Sequence, residues 1–398
     1  MLQETEYINQ RRKQAKNLSF KFRLMGLLPI NEKKIVFSTF EGDGGFCCNP
    51  RYIAEELHKK RPDLKIVWVT RKGAENFPEY VTVKKYSDWS LAYHLSTAKV
   101  WVDNYRKPFG TVKKEGQLYI QTWHATIGFK AVGLYRGDKF PEIARIVSEA
   151  DSSLADYFIS NSKYCDDVYP KKLLYTGPTL MTGSPRVDCM VVKDDKAIAD
   201  VRRKIGVKQE DKLIMFAPTF RGGNQKGVKQ VVSEIPSIDF ERLISNLEKK
   251  FGGSWKVLLR LHPQLSAQMD KMPISQDDER FIDVSQQPDI SELLMCCDMV
   301  ITDYSSCAFD AAFARIPVLL YADDIQEYID NRGKFMWERN ELPFEIAENN
   351  DELERNIEEF EFDNYIKKVK DFMTKYKVLE DGHASERVVK EILRKIGD

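Results

Sequence analysis

Met299-Val300-Ile301-Thr302-Asp303-Tyr304-Ser305-Ser306-Cys307-Ala308-Phe309-Asp310-Ala311-Ala312-Phe313 joins a short β-branched run to a hydroxyl-rich loop and then to an apolar helical stretch. The spacing predicts a strand over Met299–Thr302 and a helix near Ser306–Ala314, with Ala308, Phe309, Ala312 and Phe313 on its buried side. A strand that feeds a helix through so short a loop is the repeating unit of a parallel α/β sheet. The hydroxyls of Ser305 and Ser306 and the free N–H groups of the helix's first turn make this a place shaped for phosphate.

The same alternation extends outward on both sides. Lys212–Ala217, Lys256–Leu261, Phe281–Val284 and Pro317–Tyr321 read as further strands, with helices near Asp239–Lys250 and Ile290–Cys297. An earlier series comprises Lys34–Thr39, Leu64–Thr70, Lys99–Val102, Leu118–Thr122 and Tyr157–Ile159, with helices near Pro50–Lys60, Trp89–Thr97 and Phe140–Ala150. Between the two series, residues 177–206 mix turn residues (Gly177-Pro178, Gly183-Ser184-Pro185) with a charged helix, as an interdomain connection would. The expectation is an α/β chain of two Rossmann-like, doubly wound domains facing across a cleft. Its divisions are a basic and apolar N-terminal segment (1–33), an N-terminal Rossmann-like domain (34–205), a C-terminal Rossmann-like domain (206–370) and a C-terminal helical tail (371–398). In such sheets ligands gather at the carboxyl ends of the strands.

Composition narrows the class. The 398 residues exceed what one core usually serves, and 42% hydrophobic with 31% charged residues is an ordinary globular balance. With 61 basic and 61 acidic side chains the net charge is zero, so no global field draws the chain to nucleic acid, and none is expected as a partner. Attraction must be local. Arg11, Arg12, Lys13, Lys16, Lys21 and Arg23 stand in a stretch without acidic residues, followed by Leu24, Met25, Leu27 and Leu28. That reads either as an interfacial segment for the cytoplasmic face of a membrane or as a helix packed on the body. No run approaches the ~20 apolar residues of a membrane span, and the N-terminus lacks signal-peptide order, so a cytoplasmic, peripheral location is expected. Seven cysteines, two of the pairs adjacent, read as reduced thiols. The five histidines form no metal-ligand pattern, so neither a metal nor a cofactor is expected. The composition leaves room for an oligomer.

Two further loops of the later series join the Ser305-Ser306 segment as candidates for a phosphate site, namely Thr219-Phe220-Arg221 and Arg260-Leu261-His262-Pro263. Arginine suits bidentate phosphate recognition, and a neighbouring histidine can bond a phosphoryl oxygen. Asp303 belongs to the same set. In the earlier series, Gln121-Thr122-Trp123-His124 ends a strand, and an imidazole there is a natural base for an alcohol, with Lys130 able to neutralise charge nearby. Gly42-Asp43-Gly44-Gly45 leads to Asn49 as N-cap and Pro50 as first helical residue; it lacks the spacing of a dinucleotide loop, which leaves acceptor-phosphate contact as its candidate role.

These segments, taken with Asn49-Pro50-Arg51-Tyr52-Ile53, Gly183-Ser184-Pro185-Arg186-Val187-Asp188, Ala217-Pro218-Thr219-Phe220-Arg221 and Asp381-Gly382-His383-Ala384-Ser385, resemble the CDP-glycerol glycerophosphotransferase family in order and spacing. The resemblance implies a GT-B-like fold, with 34–205 as the acceptor domain and 206–370 as the CDP-donor domain, and transfer of glycerol phosphate or ribitol phosphate from CDP-glycerol or CDP-ribitol. The acceptor it implies is the hydroxyl of a lipid-linked teichoic acid or capsular polymer precursor, with CMP released. It implies His124 as base, and His262, Ser305, Ser306 and Arg260 as contacts of the donor pyrophosphate. Asn49, Lys130 and Arg186 are expected on the acceptor side. The family's WHGTPLK pattern is altered here to Trp123-His124-Ala125-Thr126-Ile127-Gly128-Phe129-Lys130, so the acceptor side is where a difference is expected. A sugar-nucleotide glycosyltransferase or epimerase, or an inactive scaffold that binds envelope precursors, are the alternative readings.

Overall fold

The computed structural model describes residues 2–219, 237–261, 277–332 and 334–397. The chain divides into two compact units, Met1–Thr126 with Val132–Asp188 and Val378–Asp398, and Ile127–Ala131 with Cys189–Lys377. The first unit is built on seven strands, β1 (Asn31–Ser38), β2 (Lys65–Thr70), β3 (Val81–Lys85), β4 (Ala98–Asp103), β5 (Leu118–Gln121), β6 (Tyr157–Ser160) and β7 (Thr179–Met181). They pair in parallel in the order β3-β2-β1-β4-β5-β6-β7. The second unit carries β8 (Lys212–Ala217), β9 (Trp255–Leu259), β10 (Phe281–Asp283), β11 (Met299–Thr302), β12 (Val318–Tyr321) and β13 (Ile346–Ala347), parallel in the order β10-β9-β8-β11-β12-β13. In each sheet the order reverses beside the first strand, the switch-point geometry of doubly wound folds.

Both faces of each sheet are covered, which is why the strands read as unbroken apolar runs rather than alternating ones. In β1, Ile35 and Phe37 face a core with Trp68, Val100, Val102 and Ile120, while Val36 faces the opposite core with Val67, Trp101 and Tyr119. The first core is closed by Ile53 and Leu57 of the helix α2 (Cys48–Lys60) and by Val388, Val389 and Ile392 of the chain's last helix (Ala384–Ile396). The last helix thus belongs to the first unit, 200 residues and more beyond the strands it covers. In the second unit, Phe240, Leu243 and Leu247 of the helix Phe240–Phe251 pack with Ile214, Val257 and Ile301.

The opposite face of the first sheet takes the N-terminal helix α1 (Leu2–Met25). Ala15, Leu18 and Phe22 recur at helical spacing and are buried, Leu18 and Phe22 against Val36 and Trp101. At Gly110 (φ +101°) an added Cβ would stand 2.3 Å from the Ala15 carbonyl oxygen, so only glycine lets the chain pass that close to the helix. Ser19 Oγ donates to the Gly110 carbonyl at 2.8 Å. The outward face of α1 is another matter, with Phe20 63% and Leu24 43% exposed, and Leu27 just beyond it 82% exposed.

Local boundaries differ from the sequence reading for identifiable reasons. The helix α2 begins at Cys48, itself at φ +59°, with Cys47 as N-cap, and this releases Asn49 from the capping role expected of it. The strand β9 ends at Leu259, although the Arg260 N–H still donates to the Phe216 carbonyl at 2.9 Å.

Because Phe22 is 1% exposed and Phe20 is 63% exposed, Phe22→Ala should cost about 3–5 kcal/mol while Phe20→Ala changes little. The urea transition of the first unit measures this, and equal effects of the two substitutions would show that α1 is not docked through that face.

Candidate active site

His124 follows β5, at the carboxyl edge of the first sheet. Its Nδ1 lies 3.0 Å from the Asn104 carbonyl oxygen, a pure acceptor, so Nδ1 carries the proton and Nε2 keeps its lone pair. The ring is stacked on Tyr105 and walled by Trp123 and Phe40, with centroids at 5.8, 4.5 and 5.4 Å. Burial pushes the imidazole pKa down to about 4, and the cations of Arg186, Arg106 and Lys172 push in the same direction against the hydrogen bond to Asn104. His124 is therefore neutral at physiological pH, a base already unprotonated.

The loop that carries His124 is gripped through its carbonyls. Trp123 has φ +50°, a left-handed conformation that a bulky residue adopts only when its surroundings hold it there. Asn49, fully buried, donates through Nδ2 to the Trp123 carbonyl at 3.0 Å, and its Oδ1 accepts the Arg186 N–H at 3.0 Å. Arg186 Nη1 donates to the His124 carbonyl. Lys172, at the end of the helix Lys163–Lys172, donates to the carbonyls of Ala125 (3.1 Å) and Thr126 (2.5 Å). Asn49 and Arg186, expected on the acceptor side, are thus the side chains that fix the shape of the His124 loop.

A second polar layer lies beneath. Gln121 Oε1 accepts the Trp123 N–H at 2.9 Å, and Gln121 Nε2 donates to the Tyr105 carbonyl (2.9 Å) and to Asp151 (3.1 Å). Asp151 also accepts from the Tyr119 hydroxyl at 2.9 Å and the Lys107 N–H at 2.8 Å, while burial raises its pKa to about 6. Asp103 and Lys107 form a buried ion pair at 2.6 Å that holds the turn containing Asn104. None of Asn104, Lys107, Asp151 and Lys172 stands in a motif, so only their three-dimensional placement reveals them.

Two motifs of the sequence meet in this unit. Asp188 accepts the N–H groups of Ala384 (2.9 Å) and Ser385 (2.7 Å), capping the last helix. Glu380 accepts from Asn161 Nδ2 (2.7 Å) and the Ser184 N–H (3.0 Å). Gly183-Ser184-Pro185-Arg186-Val187-Asp188 and Asp381-Gly382-His383-Ala384-Ser385 therefore serve the architecture behind His124.

In the second unit the loop after β11 is anchored by Asp303, whose carboxylate accepts the Thr219 N–H at 2.9 Å through both oxygens and also the Tyr304 N–H. That use of an anion ties the β8 and β11 loops together. Ser305 and Ser306 follow, both half-buried; Ser305 Oγ lies 3.5 Å from the Cys307 N–H, and Ser306 makes no side-chain cap to the helix Cys307–Phe313. Arg260 donates to the carbonyls of Val284 (2.9 Å) and Ser285 (2.6 Å), bracing the β9 and β10 loops. His262 and Arg221 lie outside the described residues. Lys130, expected beside the acceptor, belongs to the second unit, where Phe129 packs on Phe309 and Phe344 and an added Cβ on Gly128 would stand 3.4 Å from Ser306 Cβ. Among the described residues no group of His, Cys, Asp and Glu is arranged to hold a metal ion.

Residues 20–394 match the model of the family described as CDP-Glycerol:Poly(glycerophosphate) glycerophosphotransferase. The chain is 28% identical to the teichoic acid poly(glycerol phosphate) polymerase of Bacillus spizizenii, covering 94% of this chain and 95% of that protein. It is also 28% identical to the teichoic acid glycerol-phosphate transferase of Staphylococcus aureus, over 94% and 96% of the two. Among solved structures it matches the wall teichoic acid polymerase TagF with a TM-score of 0.79 and 27% identity, over 100% of this chain and 98% of that one; a TagF variant has also been solved after a soak with CDPG. The two parallel sheets are those of a GT-B-like enzyme, and the chain belongs to the CDP-Glycerol:Poly(glycerophosphate) glycerophosphotransferase family.

Proposed function

We propose that this enzyme transfers glycerol phosphate from CDP-glycerol, or ribitol phosphate from CDP-ribitol, to the hydroxyl of a lipid-linked teichoic acid or capsular polymer precursor, releasing CMP. The observation that carries the reading is the state of His124, with Nδ1 committed to the Asn104 carbonyl and Nε2 unprotonated beside a loop fixed by Asn49, Arg186 and Lys172. His124 takes the proton of the acceptor hydroxyl as the oxygen attacks the phosphorus that bears the polyol. The bond from that phosphorus to the bridging oxygen breaks, and CMP leaves with the electron pair. Phosphoryl transfer asks the protein mainly for positioning and charge stabilisation. Ser305 and Ser306 serve as donor-phosphate contacts, on a loop held by Asp303 and Thr219, with His262 and Arg221 assigned to the same site from their motifs.

His124→Ala should lower kcat by about 10² to 10⁴ and leave the fold intact. The assay is CMP release from CDP-glycerol or CDP-ribitol in the presence of a lipid-linked acceptor, with the product sized. Near-normal turnover in the variant would remove His124 as base. Consumption of a UDP-sugar with no release of CMP would transfer the chain to the sugar-nucleotide reading.

The outward face of α1 supports a place at the cytoplasmic membrane surface. Phe20 and Leu24 lie opposite the buried stripe of Ala15, Leu18 and Phe22, flanked by exposed Arg12, Lys13, Lys16 and Arg23. Each basic group near an anionic leaflet contributes about 1 kcal/mol, and exposed apolar side chains add insertion. No described helix is long and apolar enough to cross a membrane. Cosedimentation with vesicles rich in anionic lipid should fall severalfold in Leu24→Glu/Leu27→Glu and in high salt. Undiminished binding would show that α1 is not the anchor.

A further inference from the structure

The grip on the His124 loop has a consequence for its N–H groups. No peptide bond in the described chain is cis, so each N–H points away from the carbonyl of the residue before it. The carbonyls of Trp123, His124 and Ala125 are drawn respectively to Asn49, Arg186 and Lys172. These three side chains form one cluster, since Asn49 bonds the Arg186 backbone and the Arg186 and Lys172 cations lie close enough to act on each other. The N–H groups of His124, Ala125 and Thr126 each point away from the carbonyl of their own peptide unit, and none has an acceptor among the described residues. Thr126 is only 2% exposed, so its N–H is kept from bulk water, whereas His124 and Ala125 are half-buried.

Successive main-chain N–H groups without acceptors are the donors from which a concavity for an anion is made. The charge around it agrees: Lys172 and Arg186, each 4% exposed, stand behind the carbonyls, and the Arg106 guanidinium lies 4.7 Å from the Trp123 ring centroid. A further unmatched donor belongs to Asn104, the residue whose carbonyl bonds the His124 ring. Asn104 is fully buried, its Oδ1 accepts the Phe40 N–H at 2.8 Å, and its Nδ2 has no partner among the described residues, while its own carbonyl holds the His124 ring.

We infer that the main-chain N–H groups of His124, Ala125 and Thr126 form a phosphate-binding nest that holds an anionic phosphoryl oxygen next to the His124 imidazole. The inference deepens the proposed reaction and rests on it for the identity of the ligand. The shared chemistry is a phosphate ester, which is present both in the acceptor's polyol phosphate terminus and in the activated donor. A side chain at position 125 does not remove the N–H, so Ala125 in place of the family's glycine leaves the nest its three donors.

Amide resonances of His124, Ala125 and Thr126 in the full-length protein test this directly. Titration with glycerol 3-phosphate should move them downfield and saturate if the nest holds the acceptor's phosphate. A saturable shift with CDP-glycerol alone would assign it to the donor. Amides unmoved by both ligands overturn the nest, and CMP release measured on the same sample shows separately whether the transferase reading stands. Ala125→Pro, which deletes the middle donor, should lower kcat by about 10² to 10³. If that variant does not fold, the titration of the unaltered protein still decides.

Discussion

Everything at the candidate site depends on one constraint, the capture of four consecutive carbonyls, from Trp123 to Thr126, by Asn49, Arg186 and Lys172. A loop at the end of a strand would ordinarily satisfy its carbonyls with water. Here buried cations and a carboxamide do so, and a charged donor bonding a neutral acceptor is worth about 1.5–3 kcal/mol each. That is enough to hold a tryptophan at φ +50° against its preference. The cations cannot be removed singly without leaving carbonyls unsatisfied, which makes the grip cooperative.

The grip acts on chemistry in two ways. It delivers His124 to the Asn104 carbonyl, fixing the tautomer, and it holds the ring where burial, with the nearby cations adding to it, keeps the imidazole unprotonated. A base of low pKa is a weaker base, yet it is present entirely in the working form, and the phosphoryl transfer proposed for it needs positioning more than proton affinity. Behind it, Asp188 and Glu380 tie the connection at residues 183–188 to the start of the last helix, so the segment that supplies Arg186 is itself anchored.

The sequence carried the parallel α/β architecture clearly, because strands covered on both faces leave unbroken apolar runs such as Ile35-Val36-Phe37 and Met299-Val300-Ile301. His124 was legible for the same reason that Ser305 and Ser306 were, as polar residues at the ends of such runs. The partners were not. Lys172 lies 46 residues and more from the carbonyls it holds, and Asp151 reaches Gln121 from 30 residues away. No periodicity encodes contacts of that range. Asn49 shows a subtler failure, since its residue type suits an N-cap, and only the unusual backbone of Cys48 moves the helix start forward and turns its carboxamide to the His124 loop. Lys130 shows how little nearness in sequence says about placement. A few residues after His124 in sequence, it lies in the other compact unit because the chain passes from one to the other at Thr126.

The central claim is that His124 is a preformed neutral base with its lone pair on Nε2. Nitrogen-15 spectra of the imidazole, assigned by comparison with His124→Ala, measure this across a pH titration. The account predicts a protonated Nδ1, an unprotonated Nε2 and a midpoint at about 4, so that the neutral form persists as pH falls through the ordinary histidine range. A midpoint near 6.5, or a tautomer protonated at Nε2, would contradict it.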